Sequence, residues 1–344
     1  MLIVAVILIL VFAVSYFGVL AYRSFSLKRG LLDHPNERSS HEMPTPRGGG
    51  LVMAFVAIFG YVALSLAYNT QISYGYILAA LIVIVVGFLD DVFSVWFLWR
   101  LIGQFAAAAI FVSISGSFGS IYVPFFGEVT FPAVVSVIVT SLYIVYFLNA
   151  YNFMDGIDGI AGLQALVAAI FWQFIAASTG MYPAMHLGGS LAAASLGFLL
   201  LNWQPAKIFM GDAGSSFLGF SFAVLPIVAL DGSASGNGLP LTVGLLVVWP
   251  FVFDSLITLV RRTLRGEKVW SAHREHLYQR LVIGGWSHAR VTTIYGVLAL
   301  LSSVVAATYA LNTPYYLSDL LAVTVAIVSC AVVFWLSAKY GRTA

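Results

Sequence analysis

The chain has 344 residues, 61% of them hydrophobic and only 9% charged, against roughly 25% charged in an average soluble protein. It cannot coat itself with a wetted surface and reads as an integral membrane protein. The net charge of +2 gives no general nucleic-acid footprint, so no nucleic-acid partner is expected, and the lone Cys330 in an apolar run excludes a disulfide framework or a thiolate metal site.

A helical span takes about 20 apolar residues. Eleven stretches qualify: 2–22, 48–68, 75–92, 98–116, 131–150, 158–178, 186–202, 214–231, 239–260, 291–311 and 317–338. They are continuously apolar and lack a period of two, which predicts helices and not barrel strands. No polar stretch is long enough for a separate domain, so residues 1–344 are expected to form one all-α polytopic bundle. The first run has no basic residue before it and meets Arg23, Lys28 and Arg29 after it, which reads as an uncleaved span with its N-terminus outside.

Threading the spans alternately puts 23–47, 93–97, 151–157, 203–213, 261–290 and 339–344 inside. The connections near 69–74, 117–130, 179–185, 232–238 and 312–316 fall outside. All 16 Lys and Arg lie in the inner segments or, for Arg100, just within the inner end of the fourth span. A miscounted span would swap sides for everything after it and scatter these charges, so the asymmetry tests count and orientation together. Trp and Tyr near several span ends read as interface anchors, facing membrane lipids or a second copy in a homodimer.

Four inner clusters carry the chemistry. Asp90 and Asp91 close the third span; adjacent carboxylates at an apolar helix end repel and lose hydration, so they call for a cation or a shared proton unless they are simply solvated acids at a helix end. Arg100 brings a guanidinium suited to phosphate to the same edge. Next, Asn149, Asn152, Asp155 and Asp158 recur every three residues, and two Asp-Gly steps break the helix; turn formation explains the glycines but not four polar groups at the end of a span. Third, Phe209-Met-Gly211-Asp212-Ala-Gly214-Ser215 opens the eighth span. Asp212 there reads as an N-cap, a metal ligand or both, with free amides able to face an anion. Fourth, the loop from Arg261 and Arg262 through His273-Arg274-Glu275-His276 places two His among cations, which fits a pyrophosphate clamp better than a transition metal. Arg261 and Arg262 themselves read as ordinary positive-inside residues. Asp254, inside the ninth span, reads as a helix-to-helix hydrogen bond or an ion-pair partner.

The order and spacing of these clusters resemble the polyprenyl-phosphate N-acetylhexosamine-1-phosphate transferases over nearly the whole chain. The segments Asp33–His41 and Pro44–Gly50 are similar to that family's entrance to its second span, and His273–Leu281 resembles bacterial enzymes that start O-antigen synthesis. The resemblance implies transfer of an N-acetyl(deoxy)hexosamine 1-phosphate from a UDP-sugar to undecaprenyl phosphate, releasing UMP. It also implies a bacterial inner-membrane location with the site facing the cytoplasm. Asp212 and Asn152 match metal ligands for Mg²⁺, with Mn²⁺ as an alternative. Asp90 matches the residue proposed to take a proton from the lipid phosphate, a role that could also be nucleophilic or purely electrostatic, and Asp91 matches its neighbour in the metal and phosphate site. Asp155 belongs to the same catalytic group. Arg100 corresponds to a phosphate-binding cation, Phe209 and Asp158 to groups that stack on and hydrogen-bond to uracil, and His273, Arg274 and His276 to the loop that gathers pyrophosphate and selects sugar.

The spaced His-Arg-Glu-His replaces the consecutive His of the peptidoglycan-precursor enzyme and the His-X-His-His of bacterial N-acetylglucosamine enzymes. A 6-deoxy sugar such as N-acetylfucosamine or N-acetylquinovosamine is therefore expected first and N-acetylglucosamine second. A transporter or flippase would also use broken helices with Asp, Asn and Gly, but near the bilayer midplane and with a repeat between halves, whereas these clusters sit at span ends and no internal repeat is visible. An intramembrane aspartyl protease fits less well, because its acids would have to meet within the bilayer.

Overall fold

The computed structural model describes residues 2–33, 43–230, 239–268, 273–311 and 313–341. His34–His41 of the first-loop motif and the Ser/Gly-rich turn 232–238 lie outside the described residues.

The elements are α1 (Leu2–Arg29), β1 (Leu32–Asp33), β2 (Thr45–Pro46), α2 (Gly49–Ala67), α3 (Tyr74–Phe93), α4 (Phe97–Ser115), β3 (Ser120–Val123), β4 (Gly127–Thr130) and α5 (Ala133–Met154). They continue with α6 (Ile160–Thr179), α7 (Tyr182–Asn202), α8 (Asp212–Leu230), α9 (Leu239–Val247), α10 (Trp249–Leu264), α11 (Leu277–Ile283), α12 (His288–Thr308) and α13 (Tyr315–Tyr340). Among the described residues ten helices are long and apolar enough to cross a membrane, and α9 with α10 makes an eleventh, broken span. The expected helical, multi-pass membrane bundle is what the chain forms.

Central α8 is buried along nearly all its length, whereas α1, α4 and α13 are largely uncovered. These outer helices turn Leu2, Ile9, Phe17, Trp99 and Trp335 outward, the surface that lipid requires. Small residues let α8 occupy the centre: a Cβ on Gly50 would lie 2.5 Å from the Gly214 Cα, so α2 and α8 cross backbone against backbone.

Two features depart from the sequence reading. The run 239–260 is not one straight helix; α9 and α10 meet at a 78° bend. Pro250 sits in the first turn of α10, where its missing N–H costs nothing, but in an unbroken helix it could not bond the Leu246 carbonyl and its ring would clash there, so the preceding helix ends before it. Gln164 donates to the freed carbonyl of Val247 at 2.8 Å. The connection 117–130 contains an antiparallel hairpin, Ser120 facing Thr130 and Val123 facing Gly127. Asp319 ties this hairpin down, accepting from the Phe125 amide at 2.9 Å, Tyr122 at 3.1 Å and Tyr309 at 2.9 Å.

At the other end of the bundle the ends of α1, α3, α5 and α7 meet the starts of α2, α4, α6, α8 and α12. Arg23 bonds the Lys207 carbonyl, Asn152 reaches Ser215, and Gln204 accepts from Ala289. The expected polar clusters all belong to this end.

Candidate active site

The segment before α2 and the segment before α8 are laced together by main chain. Phe209 donates to the Pro46 carbonyl at 2.8 Å and its own carbonyl accepts from Gly48 and Gly49, while Gly50 donates to Met210 at 2.9 Å. This strip carries Arg47 on one side and Asp212 on the other, and holds Phe209 half-buried beside them.

Asp212 was expected to cap its helix; it does not. Gly211 is the N-cap, its carbonyl accepting from Gly214 and Ser215, and glycine has no side chain with which to serve the free amides. Asp91, arriving from the last turn of α3, does so instead: Oδ1 accepts from the Asp212 amide at 2.8 Å and Oδ2 from the Ala213 amide at 3.1 Å. The carboxylate thus takes the place of the anion that a helix start attracts. Gly211 is required twice over, by its φ of 79° and because a Cβ there would lie 2.7 Å from Asp91 Oδ2. The Asp212 carboxylate is left to face two guanidinium groups, Arg47 Nη2 at 2.7 Å and Arg100 Nη1 at 3.6 Å. Arg47 also contacts Asp91 at 2.9 Å, and Arg100 pairs with Asp90.

Asp90, Arg100, Asn152, Asp212 and Ser216 line one small cavity together with Gln104 and Asn149. Gln104 and Asn149 exchange a side-chain bond at 2.7 Å, and Asn152 donates to Ser215 at 2.9 Å. Asp155, at the C-terminal end of α5, has its carboxyl pushed well above the usual carboxylate range by burial and by nearby Asp212, with Arg47 opposing. Burial works against the charge of Arg47, but Asp212, Asp91 and Asp33 outweigh it and hold the guanidinium above its ordinary range.

Arg100 also lines a larger cavity of about 340 Å³ between α4, α5 and α10, with Phe97, Tyr146, Phe153, Arg262, His273 and His276. The His loop is docked here by Asp254, which is fully buried. Its carboxylate accepts from the amides of Leu277 at 2.9 Å and Tyr278 at 3.0 Å and from Tyr295 at 2.5 Å, and lies 3.2 Å from His276 Nδ1. His276 is 3% exposed and its Nε2 has no hydrogen-bond partner among the described residues, so a polar atom is open to a ligand. His273 stacks on it with ring centres 4.9 Å apart. Burial, with His276 and Arg262 close by, pushes His273 down to about 4, so that this ring is neutral at physiological pH. Arg262 pairs with Glu267 at 3.4 Å and Glu275 at 3.6 Å, which makes it a built part of the loop and not merely a span terminator.

The sequence-expected residues are therefore not all in one place. Asp90, Asp91, Asn152, Asp212 and Arg100 come together, with Asp155 close enough to feel Asp212. His273 and His276 join through the larger cavity, on whose wall Arg100 is shared. The Asp158 carboxylate is occupied, accepting from the Ala206 amide at 3.0 Å and lying 3.3 Å from His288 Nδ1, and the Asp158 carbonyl accepts from Thr292. Arg274 follows His273 in the partly buried loop. Arg47 and Gln104 received no individual role from the sequence, Asn149 was read only as a member of the polar stripe and Arg262 only as a positive-inside residue; Gln104, one helical turn beyond Arg100 within an apolar span, was a readable signal.

Asp90, Asp212 and the Asn152 amide oxygen are hard donors. Among the described residues no three His, Cys, Asp or Glu form a cage. That set fits Mg²⁺ or Mn²⁺, since Mg²⁺ is held by one or two carboxylates and completes its shell with water and substrate phosphate.

Acids, amides and guanidinium groups gathered at one end of a membrane bundle suit the handling of phosphate anions, and comparison with known proteins gives the family. The pattern of glycosyl transferase family 4 matches residues 73–230, the stretch from α3 to α8. The decaprenyl-phosphate N-acetylglucosaminephosphotransferase of Mycobacterium tuberculosis is 30% identical over 312 residues, covering 82% of this chain and 76% of that protein. The probable undecaprenyl-phosphate N-acetylglucosaminyl 1-phosphate transferase of Bacillus subtilis is 28% identical, covering 86% and 83%. The undecaprenyl-phosphate alpha-N-acetylglucosaminyl 1-phosphate transferase of Salmonella typhimurium is 26% identical, covering 81% and 77%. The chain belongs to glycosyl transferase family 4, among the polyprenyl-phosphate N-acetylhexosamine-1-phosphate transferases.

Proposed function

We propose that this enzyme transfers an N-acetylhexosamine 1-phosphate from its UDP-sugar to undecaprenyl phosphate on the cytoplasmic side of a bacterial inner membrane. The observation that carries the reading is the joint at Arg100, where a small cavity with Asp90, Asn152 and Asp212 meets a larger, mostly apolar one between three helices. A lipid phosphate fits that joint. Its chain lies against Phe97, Leu101, Tyr146 and Leu259, and its headgroup lies among Arg100, Arg262, His273 and His276.

A lipid-phosphate oxygen attacks the sugar-linked phosphorus of the UDP-sugar. The bond from that phosphorus to the bridging oxygen breaks, and UMP departs with the electron pair and that oxygen. Two anions must approach, so the task of the protein is positioning and charge stabilisation. Arg100 orients the attacking phosphate and holds Asp90 beside it, where Asp90 can take a proton from a lipid phosphate that still carries one. Mg²⁺ held by Asp212 and Asn152 would offset the charge developing on the phosphoryl oxygens. His273, neutral, contributes hydrogen bonding without adding charge. The positive-inside distribution supports the cytoplasmic placement, and the position of the site at helix ends supports a transferase over a transporter.

The names of the relatives favour N-acetylglucosamine as the sugar. The His273-X-X-His276 spacing supports a second reading, a 6-deoxy N-acetylhexosamine on the way to an O-antigen. UMP release by the purified protein, with and without undecaprenyl phosphate and Mg²⁺, tests both. UDP-N-acetylglucosamine, UDP-N-acetylfucosamine and UDP-N-acetylquinovosamine would be offered in parallel. Release that ignores lipid or metal would overturn the proposal.

A further inference from the structure

No role implied by the resemblance falls on Arg47, yet one nitrogen of its guanidinium bridges Asp91 of α3 and Asp212 of α8, at 2.9 and 2.7 Å. It stands where a cation is needed, on an oxygen of the carboxylate that the transferase reading assigns to the metal. Its backbone is fixed, followed directly by the glycine amides that bond Phe209 and Met210. Its side chain is 36% exposed. It forms part of the wall of a separate cavity of about 220 Å³, lined also by Tyr22, Asp33, Gly48, Leu51 and Phe88, which shares no residue with the lipid-sized one. A divalent cation on Asp212 would repel a guanidinium held that close, and this cavity gives the side chain somewhere to go.

We propose that Arg47 is a resident counter-ion of the metal site, which holds Asp91 and Asp212 together until a divalent cation arrives, yields Asp212 to it, and then binds the pyrophosphate of the nucleotide sugar. The inference rests on the metal-dependent transferase reading and adds a coupling to it. Metal binding frees Arg47, freed Arg47 attracts the nucleotide, and by reciprocity the nucleotide tightens the metal. Arg47 is a substrate-binding and positioning residue in this scheme; no bond is made or broken at it.

The test is Mn²⁺ binding to the full-length protein in detergent, followed by calorimetry or electron paramagnetic resonance, with and without UDP-N-acetylglucosamine. Arg47→Gln is expected to bind Mn²⁺ about tenfold more tightly than wild type when nucleotide is absent, because a competing positive charge is gone. In the presence of Mn²⁺ it is expected to bind the nucleotide sugar about tenfold more weakly. Arg47→Lys, which keeps the charge, should stay within a few-fold of wild type in Mn²⁺ affinity. Mn²⁺ binding to Arg47→Gln that is no tighter than to wild type overturns the role of Arg47. A wild-type protein that binds no Mn²⁺ with or without nucleotide overturns the metal-dependent reading itself. Phenylglyoxal labelling of Arg47 in the wild type, read by mass spectrometry, needs no variant. Mn²⁺ alone should speed the labelling and Mn²⁺ with nucleotide should slow it, while labelling indifferent to both refutes the proposal.

Discussion

Replacing Asp254 by Asn probes how the His loop is held. The carboxylate oxygens divide their partners: Oδ1 takes the Leu277 amide and faces His276, and Oδ2 takes the Tyr278 amide and Tyr295. Asparagine offers one acceptor oxygen and one NH₂ group, so whichever way the amide turns, one of the two backbone N–H groups meets another donor. A buried donor left unsatisfied costs about 1–3 kcal/mol, and the surviving bonds lose their charge assistance. Removing a buried charge returns part of that, which leaves about 2–3 kcal/mol against docking of α11, or roughly 30- to 150-fold in its opening equilibrium. Hydrogen–deuterium exchange of the peptide covering residues 273–285 should quicken by that factor, and kcat/KM for the lipid substrate should fall as His273 and His276 lose their seat. Unchanged exchange in a folded variant would refute the docking argument; faster exchange with undiminished turnover would detach the loop from catalysis.

Asp212→Asn should abolish UMP release while leaving membrane insertion and the detergent melting profile intact, and ordinary Mg²⁺-dependent turnover in that variant would remove Asp212 from the site. Gly50→Ala drives a methyl into the Gly214 backbone at 2.5 Å; the resulting separation of α2 and α8 should cost about 1–3 kcal/mol, measured as a lowered thermal midpoint, and an unshifted midpoint would contradict the close crossing. His273 has a folded pKa of about 4, below the ordinary His value of 6.5, so its stabilising contribution is present above about pH 6.5 and is lost as pH falls through 6.5 towards 4. His273→Gln should therefore flatten the acid limb of the melting temperature in that window, and an acid limb as steep as wild type would contradict it.

Much of the fold was legible because lipid leaves few choices: runs of about 20 apolar residues must be helices, and an odd basic residue on the far side would have exposed a miscount. What escaped the sequence depends on single residues or on distant partners. Pro250 was visible, but the apolar run continues past it, so length alone joined α9 to α10. The hairpin at 120–130 is secured by Asp319, nearly two hundred residues away. Most of the candidate site was readable as polar groups at span ends, yet the partner of each carboxylate was not. The sequence pointed to Asp212 as the cap of α8 and left Asp91 in a pair closing α3; only the approach of α3 to α8 makes Asp91 the cap and leaves Asp212 facing Arg47 and Arg100. Arg47 was read only as a member of the Pro44–Gly50 segment, because its partners lie 44 and 165 positions downstream.

The strip joining Pro46–Gly50 to Phe209–Met210 is stitched by main-chain hydrogen bonds. Its stitching does not ask which side chain position 209 carries, although Gly50 must stay small where α2 crosses α8. Under the proposed function Phe209 would face the nucleotide, and replacements there would alter that contact without loosening the start of α8, so that donor preference and catalytic competence could drift independently. A lineage could trade one sugar nucleotide for another through a few exchanges on this strip while the carboxylate on its far edge stays in register. That separability makes the strip a natural place to redirect the enzyme towards a new donor.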